Sequence, residues 1–277
     1  MSLPNEIEQL YEQDPATVNH ARALQAFNEF KFFLNRGEIR AAEKSGGTWK
    51  VNLWVKKGII LGFRLGALTE YSIDRQFHFF DKSTFPLKGL SLDDGVRLVP
   101  GGSSIRDGVY VAHGVVCMPP MYVNTGAHIE EGSMVDSHVL IGSCAQIGKR
   151  VHIGAGSQIG GVLEPVVDLP VIIEDDVFIG GNCGVYDGTI VQLGAVLGAG
   201  VILTASTPVY DCVREAIYRK ESGHALVIPE RAVVVPGSRP IAASWARSMN
   251  LSVATPVIIK YRDQHTDAAA ALEESLH

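Results

Sequence analysis

Ile141-Gly-Ser-Cys-Ala-Gln-Ile147-Gly-Lys-Arg-Val-His-Ile153-Gly-Ala-Gly-Ser-Gln-Ile159-Gly160 places an isoleucine, followed by glycine, at every sixth residue. The beat extends back through Ile105, Val111, Cys117, Val123, Ile129 and Val135. After one interruption it resumes at Ile173, Ile179, Val185, Val191, Leu197 and Leu203. Four residues after the leads come small or apolar residues: Val109, Ala127, Ser133, Ala145, Ser157, Cys183, Thr189 and Ala195. A strand has period two and a helix about 3.6, so neither alone explains this spacing. A parallel β-helix does, because each hexad makes one short strand and a turn, and three hexads close a triangular coil. The position three after the lead is then a corner that needs positive φ. Gly108, Gly114, Gly126, Gly132, Gly156, Gly188, Gly194 and Gly200 stand there, and Asn182 also fits. An antiparallel sandwich would alternate without a fixed period and use hairpin dipeptides such as Asn-Gly.

Residues 18 apart should stack, which aligns Asp136 with Met118 and Gly154, and Asn124 with Gly142 and Gly160. Gly142, Gly148, Gly154 and Gly160 leave a stretch of outer wall without side chains, open to a thin ligand or simply compact. Gly160 to Val171, with Glu164, Pro165 and Pro170, should leave the coil as a loop, and Asp211 to Leu226 as a second excursion. Ile228 and Val234 then resume the spacing. Upstream, Ala21, Leu24, Phe27 and Phe30 predict a helix over Thr17 to Leu34 that Gly37 terminates, and Trp49 to Leu65 reads as a short strand and then a helix. The expected organisation is an N-terminal α/β domain (1–96), a repeat domain (97–240) and a C-terminal extension (241–277).

With 277 residues and 46% apolar composition the chain can bury a sizeable core. There is no cationic-plus-apolar leader and no apolar run of membrane-spanning length, which predicts a cytoplasmic protein without a membrane partner. Cys117 and Cys183 fall at inward positions, Cys144 at a corner and Cys212 beyond the main run, so reduced thiols are expected rather than disulfides or zinc ligands. The net charge of −6 gives no electrostatic basis for nucleic-acid binding. Arg219, Lys220, Arg231, Arg239, Arg247 and Lys260 nevertheless cluster late in the chain, as solvated charge or as a seat for a phosphate-bearing ligand.

Tyr122-Val-Asn-Thr-Gly126, Met134-Val-Asp136, Gly142-Ser-Cys-Ala-Gln-Ile-Gly148 and Gly160-Gly-Val-Leu-Glu-Pro165 are too particular to come from packing alone. Together with Arg40-Ala-Ala-Glu-Lys44, Trp54-Val-Lys-Lys57 and Ile172-Ile-Glu-Asp175, they resemble the tetrahydrodipicolinate N-succinyltransferases of lysine and diaminopimelate biosynthesis. The resemblance implies a left-handed parallel β-helix and a homotrimer with active sites between subunits. It also implies succinyl transfer from succinyl-CoA, a cosubstrate and not a resident cofactor, to a small amino dicarboxylate. No metal is implied. By the same resemblance Asp136 is the catalytic, proton-handling carboxylate. Arg97, Asp136, Asn124, Ser143, Gly160 and Gly161 are the substrate contacts, and Ala199, Thr204, Lys220 and Arg239 the acyl-CoA contacts. The residue types suit the chemistry. An amine attacking a thioester needs a proton acceptor and donors for the oxyanion, and a guanidinium can grip a carboxylate with two hydrogen bonds.

One departure stands out. The family pattern has a glutamate in the stretch after Phe178-Ile-Gly, whereas this chain reads Gly181-Asn-Cys-Gly184, with Gly184 at the acid's place and Asp187 elsewhere in the hexad. That keeps acetyl-CoA-dependent transfer open as an alternative. His113, His128, His138 and His152 lie in the repeat, but their spacing is not that of the three-histidine zinc site a γ-type carbonic anhydrase requires. A non-catalytic trimeric scaffold would require Asp136 and Arg97 to be dispensable.

Overall fold

A computed structural model describes residues 1–14, 17–166, 169–186, 188–221 and 225–263. Two-residue parallel strands stack into three sheets. The first sheet takes the strands beginning at Tyr110, His128, Gln146, Ile172, Ile190 and Val227. The second takes those at Arg97, Val116, Met134, His152, Phe178 and Val196, and the third those at Ser104, Tyr122, Leu140, Gln158, Gly184 and Ile202. Successive hexads visit different sheets, so the chain winds a three-walled prism as the period requires. Every lead from Ile105 to Leu203 is buried, and so is each of the eight residues at the fifth position. Full burial of an aliphatic side chain contributes roughly 1.5–3 kcal/mol, so the stacked leads dominate the stability of the prism.

All eight corner glycines adopt positive φ, and Asn182 joins them at 56°. His138, Cys144, Arg150 and Asp176 take the same conformation at equivalent corners, so the coil imposes this geometry even where a side chain makes it costly. The glycines at the second position behave differently. A Cβ on Gly142 would lie 2.2 Å from Gly161 N, and one on Gly154 would lie 2.8 Å from Gly181 N. Their hydrogens therefore face the chain's own backbone, which corrects the idea of an open wall there.

Residues 160–171 do leave the coil between the strands at Gln158 and Ile172, with residues 167 and 168 outside the described set. The second excursion is a small antiparallel pair, Val209–Asp211 with Ala216–Tyr218, after which Val227–Ile228 and Val234 rejoin the first and second sheets. Strand Ala232–Pro240 continues into an antiparallel hairpin with Ser252–Tyr261, which also pairs with Val209–Asp211 and sends Ile258 into the prism core.

Three helices pack as a separate cluster: α1 (Leu3–Glu12), α2 (His20–Asn35) and α3 (Leu53–Leu65). Asn19 caps α2 by accepting the Arg22 N–H, and Gly37 at φ 72° follows its end. Phe27 and Phe30 are buried as the pattern requires. Ala21 is exposed instead, and Ala23 and Ala26 complete the inner face. Strands β1 (Ala42–Ser45) and β2 (Thr48–Val51) form a hairpin before α3, the expected strand-then-helix order. Cys144, at its corner, is fully buried in this helical core, and burial pushes its thiol up to about 12. The four cysteines are free.

Candidate active site

Asp136 follows the second-sheet strand Met134–Val135 at a prism corner. Its Oδ1 accepts the Ser137 N–H at 2.6 Å, which fixes the carboxylate against the backbone. No other hydrogen bond reaches it from the described residues, so its second oxygen has no partner there. Arg97 is exposed in the same sheet, in register with Val116 and through it with Met134. Two strand spacings, about 10 Å, separate their levels.

A second group gathers at the next corner. Register aligns Val123, Ile141 and Ile159, so Asn124, Gly142 and Gly160 stack as expected. Ser143 is buried, and a Cβ on Gly161 would lie 2.2 Å from Ser143 N, so the departing loop lies directly on this turn. The Asn124 Oδ1 is occupied internally. It accepts from Arg106 Nη1 at 3.2 Å, Tyr122 Oη at 3.3 Å and its neighbour Thr125 N–H at 2.9 Å. One chain thus unites Ser143, Gly160 and Gly161 with the Asn124 stack, and places Arg97 and Asp136 along a different edge.

The expected acyl-CoA contacts divide in the same way. Ala199 is exposed above Gly180 on the Asp136 edge, its N lying 2.6 Å from where a Cβ on Gly180 would stand. Thr204 follows Leu203, whose strand pairs with Gly184–Val185, and its Oγ1 shares a hydrogen bond with Thr207 Oγ1 at 2.8 Å. Lys220 is half-buried just past the strand Ala216–Tyr218. Arg239 lies in the C-terminal hairpin with its Nε shielded from solvent and no hydrogen-bond partner among the described residues.

The histidines occupy separate surroundings. His128 lies under Tyr110 in the first sheet, with ring centroids 4.4 Å apart, and meets Glu130 at 2.9 Å. Burial holds its pKa below the ordinary value. His152 stacks on Phe178 in the second sheet, whereas His138 is an exposed corner and His113 lies under Gly95. No group of three or more His, Cys, Asp or Glu among the described residues is arranged to hold a metal ion.

Residues 2–65 match the profile of the tetrahydrodipicolinate N-succinyltransferase N-terminal region, 170–205 the hexapeptide repeat of succinyl-transferase, and 126–161 the bacterial transferase hexapeptide with six repeats. A 2,3,4,5-tetrahydropyridine-2,6-dicarboxylate N-succinyltransferase of Nitrobacter winogradskyi is 40% identical over 274 residues, covering 95% of this chain and 92% of that protein. The chain belongs to the tetrahydrodipicolinate N-succinyltransferase family. A second relative with the same name, from Sodalis glossinidius, is 38% identical over 285 residues and covers 99% of this chain and 98% of its own.

Within this succinyltransferase-family chain, Gly184 opens a third-sheet strand and is buried. A Cβ there would lie 2.6 Å from Tyr186 Cε2, and a Cβ on Gly160 would lie 2.9 Å from Tyr186 Cδ1. The Tyr186 ring therefore lies across both glycines, and its hydroxyl donates to Gln158 Oε1 at 2.9 Å. Asp187 lies outside the described residues. Tyr186 and Gln158 do not stand out in an 18-residue stacking, because the loop shifts it: strand partners here are 26 residues apart. A register carried across the loop aligns Gln158 with Gly184 but does not show the Tyr186 ring folding back over it. No local period announces the cleft of about 230 Å³ between β1–β2 and the first sheet, lined by Arg40, Lys44, Trp49, Glu130, Gln146 and Glu174 among others.

Proposed function

We propose that this protein transfers the succinyl group of succinyl-CoA to the amine of ring-opened tetrahydrodipicolinate, the step its family relatives are named for. The observation that carries the reading is identity near 40% across almost the whole chain, with Asp136 presented at a prism corner as a half-buried carboxylate fixed by one backbone hydrogen bond.

The amine must lose a proton as it attacks the thioester carbonyl. Asp136 accepts that proton on the oxygen that Ser137 N–H does not hold. Arg97, exposed on the same edge, binds a carboxylate of the amino dicarboxylate, and the charge of Arg239 in the C-terminal hairpin serves a CoA phosphate. New amide and free CoA thiol are the products. Because Asp136 and the Ser143–Gly160–Gly161 turn occupy different edges, the reading includes a homotrimer in which one subunit's Asp136 edge faces its neighbour's glycine turn.

Offering the purified protein succinyl-CoA and acetyl-CoA with the same amine substrate, and following free thiol, tests the reading. Succinyl-CoA should give the higher kcat/KM. Preference for acetyl-CoA, or no thiol release with either, would overturn it.

A further inference from the structure

The outer face of the third sheet carries Leu140, Gln158, Gly184 and Ile202 in register on adjacent strands. Leu140 and Ile202 are exposed, each turned outward by strand alternation before a buried lead. Between them Gly184 contributes no side chain, and the Tyr186 ring folds back over it and over Gly160. Tyr186 and Ile202 together cover Gly184, so the face carries an aliphatic residue at each end and the Gln158–Tyr186 pair between them, adjoining the Gly160–Gly161 turn of the candidate active site.

This pair has a fixed polarity. The Tyr186 hydroxyl donates to Gln158 Oε1, so the Gln158 carbonyl is held toward the ring and its NH₂ group is turned away as a donor. No hydrogen bond from the described residues uses that NH₂. An outward amide donor and a phenolic oxygen, flanked by aliphatic residues, match a short chain of methylenes ending in a carboxylate.

We propose that Gln158, positioned by Tyr186, recognises a terminal carboxylate of the reacting molecules and so sets substrate specificity. The inference rests on the succinyl-transfer reading and deepens it. The carboxylate has two sources, the succinyl group of the acyl donor and the amino dicarboxylate, and the chemistry of recognition is the same for both. Tyr186 is a positioning residue, since it acts by orienting the amide.

Gln158→Glu separates recognition from structure. A glutamate still accepts the Tyr186 hydroxyl, so the local fold is kept, but its outward atom becomes a charged oxygen that repels a carboxylate. KM should rise about tenfold or more with kcat within about threefold, the scale of losing one hydrogen bond to a charged group. Tyr186→Phe, which frees the amide to rotate, should raise the same KM by a smaller factor. A rise confined to succinyl-CoA, with acetyl-CoA unaffected, assigns the carboxylate to the donor. A rise in amine-substrate KM with either donor assigns it to the acceptor. An active parent whose Gln158→Glu variant leaves every KM within about twofold overturns this inference alone. A parent that releases thiol with neither donor overturns the functional reading and this inference with it.

Discussion

Asp136 has one oxygen bound to Ser137 N–H and the other free, so its geometry survives replacement by an amide while its basicity does not. Asp136→Asn should keep the secondary structure and thermal midpoint of the parent and lose roughly 10²-fold or more in kcat, the usual contribution of a positioned base. Steady-state assays alongside circular dichroism check this, and activity within about threefold of the parent would remove Asp136 from proton handling. Gly184 poses the opposite problem, one of volume. Because the Tyr186 ring sits 2.6 Å from where a Cβ would stand, Gly184→Ala should destabilise the protein by about 1–3 kcal/mol, the usual cost of overpacking. Gly184→Ala combined with Tyr186→Ala should recover part of that loss, because the two sites are in contact and their effects cannot add. Urea titrations of both variants and of Tyr186→Ala provide the cycle, and simple additivity would show that the ring does not occupy this space. The same pair shows what a sequence hides. The missing acid at Gly184 was legible as a departure, but the ring that fills its place was not, since a tyrosine two residues along gives no sign of folding back.

Between the elements, the N-terminal unit is fastened to the prism by charge. Lys44 from β1 meets Glu174 Oε1 at 2.7 Å, Trp49 Nε1 from β2 donates to the same oxygen at 2.8 Å, and Leu193 N–H donates to Oε2 at 3.1 Å. Arg40 reaches Glu130 at 3.2 Å and Gln146 Oε1 at 2.9 Å. Burial alone would raise the Glu174 pKa, but the hydrogen bonds from Lys44, Trp49 and Leu193 outweigh it and hold the carboxyl below its ordinary range. Glu130 is held low chiefly by His128. A carboxylate whose folded pKa is depressed stabilises the fold above its unfolded value, near 4.5, and loses that contribution as pH falls through the folded value. His128, also depressed, acts in the same direction as pH drops below 6.5. The attachment should therefore weaken on acidification, and tryptophan fluorescence from Trp49 and Trp54 should change at a higher pH than the far-UV signal of the prism. Glu174→Ala, which strands three donors, should cost about 1–3 kcal/mol at neutral pH and flatten this acid transition. An unaltered pH profile would show that the hairpin is held by other contacts. The contacts from Arg40, Lys44 and Trp49 to the prism could not be read from the chain beforehand, because they join residues 90 to 130 positions apart. The prism was legible for the converse reason. Its register is set by a local period, and each lead from Ile105 to Leu203 predicts its own burial.

At the scale of the whole molecule, the position of the two candidate groups along the prism bears on how the site is completed. Asp136 and Gly154 stack on one edge, Gly142 and Gly160 on the next, and Asp136 and Gly142 belong to successive hexads of the winding chain. The two groups therefore lie at nearly the same height but face different directions. A ring of subunits with parallel prisms would bring one subunit's Asp136 edge against its neighbour's Gly160 turn without any axial shift, and three such contacts close the ring. Such an arrangement can be tested by mixing two inactive forms. Asp136→Asn removes the base from one edge. Gly160→Val pushes a branched side chain into the Tyr186 ring at the other, where a Cβ alone would already approach to 2.9 Å. Each variant alone should be nearly inactive. Co-expressed in equal amounts, they should form mixed trimers in which a site pairs an intact Asp136 with an intact Gly160 about one time in four, giving about a quarter of parental activity. If the mixture stays as inactive as its parts while sedimentation shows mixed trimers, each site is built within one chain, and the two edges must be bridged there by the substrate itself.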